Sequence, residues 1–167
     1  MIIDSTVDPI LPMFRAIGKI PSGLFILTAG QGPDLSVMLV SFVQQVARDP
    51  LVIAVAINRT RPIAALIEKS GGFVLNIIGS GDRTLLKKYA RQALTGPESI
   101  QSVRTRHLDD GGIVLLDACG WIKCRYRQRI DFAADHDLLL GVVEDGGLND
   151  TPHSQPVVHI RHDGSNY

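Results

Sequence analysis

At 167 residues, 45% of them apolar and 20% charged, the chain is long enough to bury its own core and too apolar to be disordered. Lysine plus arginine and aspartate plus glutamate number 17 each, so the formal net charge is zero. A nucleic-acid or membrane-surface partner would call for a basic excess, whereas self-association meets no charge barrier. Met1–Pro12 lacks the basic start and long apolar run of a signal peptide, and no apolar run reaches the ~18–20 residues of a membrane span. One cytoplasmic domain covering residues 1–167 is the expectation.

In chain order, Met1–Arg15 reads as a polar lead-in with Pro9 and Pro12, and Ala16–Ile20 as the start of a helical turn. Gly23–Ala29 predicts a strand, and Gly30 to Asp34 a turn. Ser36–Val43 is apolar and β-branched enough for a strand, ended by Arg48-Asp49-Pro50. Leu51–Ile57 is an uninterrupted apolar run of strand length, which predicts burial on both faces. Pro62–Ser70 predicts a helix with Ile63, Leu66 and Ile67 on one stripe and Gly71-Gly72 as its stop. Phe73–Ile78 reads as a buried strand. Asp82 can cap a second helix whose inner face is Leu85, Leu86, Tyr89 and Ala90.

Leu94–Gly112 is loop-rich, and Ile113–Ala118 and Cys119–Phe132 are strand-like. The second alternates Ile122, Cys124, Tyr126, Gln128, Ile130 and Phe132 with Lys123, Arg125, Arg127 and Arg129, the pattern of a long half-solvated strand. Asp137–Val143 predicts a strand, Gly146 to Pro152 a loop, and Val157–Arg161 a last strand before a short polar tail. Cys119 and Cys124 lie an odd number of residues apart, on opposite faces of a strand, so reduced thiols are expected rather than a shared metal or disulfide. Strands outnumber helices and are not regularly separated by them. That pattern suits a closed barrel better than a doubly wound parallel sheet.

The stretch with the most chemistry follows Leu51–Ile57. Asn58-Arg59-Thr60-Arg61 stands at the mouth of a helix, where unpaired N–H groups and two guanidinium groups make a phosphate seat. Solvated charge is the plain alternative. No His-Glu-x-x-His or Cys/His quartet suggests a metal. No Gly-x-Gly-x-x-Gly follows a strand, and no Gly-x-Ser-x-Gly elbow is present.

Four stretches in this order resemble the flavin reductase-like family. They are Ala16–Thr28, Ser36–Ala65, Gly72–Ile78 with its Phe-x-Val-Asn-like strand, and Asp135-His136 followed by Leu139–Glu144. The first is most similar to the flavin reductase module at the C-terminal end of diflavin flavoproteins. The resemblance spans roughly residues 14 to 160 and implies a mainly β chain: an FMN-binding split β-barrel with two or three inserted helices. It implies FMN, with FAD the alternative, held by Met38, Leu39, Val40, Ser41, Phe42, Val43 and Gln44 under the ring and by Asn58, Arg59, Thr60 and Arg61 at the phosphate. Asn76 is a further flavin contact by resemblance, and His136 the catalytic residue facing flavin or nicotinamide. NADH or NADPH is the implied co-substrate, and a homodimer with a redox partner protein the implied assembly. An FMN electron-transfer protein without nicotinamide turnover stays open as the rival reading. The chain departs from the family at Phe42, at Gln44-Gln45 and at Ala134, where smaller residues are usual.

Overall fold

The computed structural model describes residues 10–164; the outer parts of the lead-in and tail, residues 1–9 and 165–167, lie outside it. Three α-helices are found among the described residues: α1 Ile10–Gly18, α2 Ile63–Ser70 and α3 Arg83–Tyr89. The first half of the chain supplies strands β1 Phe25–Ala29, β2 Ser36–Val40, β3 Val43–Arg48, β4 Leu51–Asn58 and β5 Gly72–Ile77. The second supplies the short β6 Leu94–Thr95, β7 Thr105–His107 and β8 Ile113–Leu115, then the long hairpin of β9 Gly120–Asp131 and β10 His136–Leu148.

Eight strands form one antiparallel sheet in the order β3-β4-β10-β9-β5-β1-β2-β6, and β7 pairs with β8 in a second, two-stranded sheet. This corrects the split-barrel expectation. The large sheet is open, with β3 and β6 as its ends, and no ladder joins them. The fold is mixed α and β. The barrel is what the resemblance implies and what the excess of strands suits, and neither says whether the end strands of this chain pair. β10, the last of the described strands, lies between β4 and β9 and among the described residues is the sole link between the β3-β4 pair and the other five strands.

β4 is buried at Val52, Ile53, Ala54, Val55 and Ile57, as an all-apolar strand must be when both its faces are covered. α2 lays Ile63, Ala64 and Ile67 into the same cluster as Leu27, Phe73, Leu75 and Leu139. Each fully buried isoleucine contributes about 1.5–3 kcal/mol. Gly71 ends the helix at φ 78°, donating to the Ile67 carbonyl, a geometry glycine adopts without strain. Asp82 caps α3, its Oδ1 accepting from the Thr84 and Leu85 amides at 2.9 and 3.1 Å.

Four boundaries differ from the sequence reading. Ser36–Val43 is interrupted at Ser41 and Phe42, which separate β2 from β3. The lead-in is helical from Ile10. Gly146-Gly147 is part of β10, which bulges at Glu144 opposite β9, while β9 bulges at Arg127. Val157–Arg161 is not a ladder strand; single bridges tie Pro156 to Gly79 and His159 to Ser22.

Candidate flavin site at the end of strand β4

Three elements converge where β4 ends. The register sets His136 of β10 opposite Asn58. On the other side of β4, the Phe42 carbonyl accepts from the Ala56 amide at 2.9 Å. One residue past the strand, the Arg59 amide donates to the Asp135 carbonyl at 3.0 Å. The pairing of β4 with both neighbours therefore brings Phe42, Asn58 and His136 together. The Phe42 and His136 rings meet edge to face, with centroids 5.8 Å apart and planes at 63°. The Arg161 guanidinium lies 5.0 Å from the Phe42 ring centroid.

The corner after β4 is templated by Asn58. Its Oδ1 accepts from the Thr60 amide at 3.0 Å and the Thr60 hydroxyl at 2.6 Å, and the Arg61 amide donates to its carbonyl. Such an Asx turn fixes the chain before α2 begins. The two arginines then part company. Arg59 folds back onto carboxylates, pairing with exposed Asp131 and bringing Nε within 2.9 Å of Asp137 Oδ1. That second approach is an ion pair by distance but too poorly aligned for a hydrogen bond, since Oδ1 has no hydrogen-bond partner. Asp137 is buried at 3% exposure, and its other oxygen accepts from Arg129 Nε at 2.7 Å and from Nη2. Arg61 is exposed, and among the described residues no carboxylate pairs with it.

Asp135 Oδ1 lies 3.0 Å from His136 Nδ1, and that hydrogen bond holds the Asp135 carboxyl below its ordinary range. Asp131 is held low first by the Ala133 amide and then by Arg59. An ionised carboxylate only accepts, so Nδ1 carries a proton in this contact.

The stretch from Met38 to Gln44 is split between faces. Met38, Val40 and Val43 belong to the cluster under α2, and Leu39 points to the cluster with Ile26 and Leu115. Ser41 is 2% exposed and its hydroxyl has no partner. Gln44 is exposed and donates to the Gln45 carbonyl. Asn76 is not drawn into this group. Its amide donates to the Ile26 and Ile113 carbonyls at 3.2 and 3.4 Å and accepts from the Leu115 amide at 2.7 Å, tying β5 to β1 and β8.

Asp131, Asp137 and Arg161 were not singled out by sequence. Asp137, a carboxylate opening an apolar strand beside His136, was the visible signal; Arg161 had none, since its partner ring is 119 positions away in the numbering. The basic stripe of β9 is largely neutralised: Lys123 pairs with Asp110 and Glu144, Arg125 with Glu144, and Arg129 with Asp137 and Glu68. Among the described residues no cluster of His, Cys, Asp and Glu is placed to hold a metal, and both cysteines are free and buried. A cleft of about 140 Å³ between Gly30, Gly72, Gly112 and Lys123, and one of about 350 Å³ between Ser36, Leu66 and Lys69, are lined by none of Phe42, Arg61 or His136. Convergence of residues marks the site.

Known proteins share this arrangement of elements. Diflavin flavoprotein A 1 of Synechocystis sp. is 32% identical over 133 residues, 79% of this chain and 23% of that protein. The chain spans about a quarter of the length of the curated relatives it matches. Among solved structures, the NADH:FAD oxidoreductase SgcE6 of Streptomyces globisporus superposes with a TM-score of 0.78 at 15% identity, covering 98% of this chain and 94% of that one. The styrene monooxygenase flavin reductase of Pseudomonas putida S12 gives 0.71 at 17% identity, covering 89% and 97%. At these identities the superpositions speak to the fold. The model of the flavin reductase like domain matches residues 17–165, nearly the whole chain, and the chain belongs to that family.

Proposed function

We propose that this chain, acting as one domain, is a flavin reductase. NADH or NADPH gives a hydride to a flavin held at the end of β4, and the electrons leave for an acceptor outside the chain. FMN is the first choice of flavin and FAD the alternative. The observation that carries the reading is the meeting of Phe42, Asn58 and His136 at one strand end, with the Arg61 amide bonded to the Asn58 carbonyl and an orphaned hydroxyl next in sequence on Ser41.

The residues fit a flavin. The Ser41 hydroxyl, one of four buried serine hydroxyls without a partner among the described residues, is available to a ligand that brings one. Arg61 stands just before α2, whose first turn has no side-chain cap, and a phosphate there would meet both the guanidinium and the open N–H groups. Ser41 and the main chain of Met38–Gln44 would orient the ring, while Arg61 and Thr60 would hold the phosphate. Arg59 serves the corner itself, with its charge committed to Asp131 and Asp137. The flavin, when bound, supplies the atom that accepts the hydride. Asp135 orients the His136 ring through Nδ1, leaving Nε2 to hydrogen-bond the nicotinamide carboxamide, which aligns the donor ring without moving a proton. Of the β9 basic stripe only Arg127 is left outside ion pairs among the described residues, so docking of a redox partner on that stripe is not favoured. Among the described residues no helix is long and apolar enough to cross a membrane; we place the chain in the cytoplasm.

The test is anaerobic. Purified protein with FMN should bleach on addition of NADH or NADPH. His136→Ala should slow bleaching while FMN affinity holds. A flavin that binds but stays yellow under both nucleotides would mean that the Phe42 ring covers the face the nicotinamide needs, and would favour the electron-transfer reading.

A further inference from the structure

Arg161 sits in the segment after β10, outside the corner that serves the flavin phosphate. Its segment is pinned on both sides. The Val157 amide donates to the Ile78 carbonyl at 2.9 Å, Ser22 and His159 exchange main-chain bonds at 2.9 and 2.7 Å, and the Gly164 amide reaches the Phe14 carbonyl at 2.7 Å. Arg161 is therefore held over the Phe42 ring, whose edge contact with His136 carries the arrangement to the centre of the site. Among the described residues no carboxylate pairs with its guanidinium, and the residue is half-exposed. Arginine stacked on an aromatic face keeps its N–H fork free and pre-orients it, which lowers the entropy lost in gripping an anion.

Two anionic ligands have to meet at one reacting centre in a flavin reductase. The corner at Arg61 offers a seat for one. We propose that Arg161 is the seat for the other: it binds the diphosphate of the nicotinamide dinucleotide and so sets the affinity for the reductant. This rests on the flavin reductase reading for the identity of the ligand. The physical basis is a single unpaired cation placed on the aromatic pair. The neighbouring His136 is assigned to the carboxamide, leaving the guanidinium for the charged part of the same molecule.

The test compares the wild-type chain with R161Q, and with R106Q as a control, because Arg106 is stacked in the same way, 5.0 Å from the Trp121 ring. With FMN present, each protein is titrated calorimetrically with ADP-ribose, which carries the diphosphate and no nicotinamide. Oxidation of NADH and of reduced nicotinamide riboside, which carries no phosphate, is then measured. R161Q is expected to weaken ADP-ribose about tenfold and to raise KM for NADH by a similar factor, the effect of losing one charged hydrogen bond. Its kcat, its rate with the riboside and its FMN affinity should match the wild type, as should everything in R106Q. Equal ADP-ribose binding in R161Q and wild type, or none in either, overturns the proposal. So does an equal loss with the riboside, which would make Arg161 a prop for Phe42. A loss of affinity for FMN but not for riboflavin would hand the seat to the flavin phosphate instead. If the wild type oxidises neither donor, the reductase reading fails while the ADP-ribose titration still decides the seat.

Discussion

Arg59 and Arg61 look alike in the sequence, two residues apart on one polar corner, and they do different work. Arg59 compensates a buried carboxylate, Asp137, that enters from β10, and no local pattern announces a partner so distant in the chain. Arg61 has no such partner. Arg59→Ala leaves Asp137 with Arg129 alone and is expected to cost about 1–3 kcal/mol in urea unfolding, less than a fully buried pair because Arg59 is itself partly exposed. Arg61→Ala should leave unfolding within about 0.5 kcal/mol of wild type and weaken FMN by about 1.5–3 kcal/mol, with riboflavin unaffected. An unfolding loss in the second variant, or a flavin loss confined to the first, would reverse the two roles. The corner was legible as a polar turn ahead of a helix; the difference between its two arginines depends on a residue that only the β4–β10 pairing delivers.

Asn76 shows the same limit at the level of elements. An amide inside an apolar strand had to find partners, and the flavin was a reasonable candidate. The partners are main-chain groups of β1 and the β8 strand, supplied by tertiary pairing. Asn76→Ala should cost about 1–3 kcal/mol, since it orphans the buried Leu115 amide, without changing the flavin affinity of the folded protein. Equilibrium unfolding and a flavin titration check the two halves of that statement. The β9–β10 turn gives a pH prediction. Asp131 and Asp135 are both held below their ordinary carboxyl range, so their contribution is fully present above about pH 4 and is lost as pH falls through the lowered values. Thermal scans should show stability falling on the acid side, and Asp131→Asn should flatten that limb. Periodicity located β1, β4, β5, β9 and both inserted helices within a few residues. It missed the break at Ser41-Phe42 because an apolar, β-branched run reads the same whether or not one ladder continues through it.

For the whole molecule, the double-sided apolarity of β4 is no argument for pairing of two copies, because one chain buries both faces of that strand. The homodimer we expect would form through a different surface. Ile20, Val158 and Ile160 are 61%, 72% and 58% exposed on segments joined by the Ser22–His159 bridge, and a neutral chain meets no repulsion in covering them. Light scattering should give about twice 18.1 kDa, and Val158→Asp with Ile160→Asp should return the mass to one chain. A wild-type mass of one chain at micromolar concentration with flavin present would remove the dimer. The place of β10 has a consequence for the order of synthesis. Before residue 136 leaves the ribosome, β4 carries a raw edge toward the missing strand, and β9, once made, carries another. Unpaired apolar edges of this kind invite association with other chains, so the nascent sheet is most exposed until β10 is made. The strand that closes this gap is the one that begins with His136. Completion of the sheet and arrival of His136 beside Asn58 are thus a single event, and a chain broken off before it keeps its sheet in two unjoined parts with sticky edges.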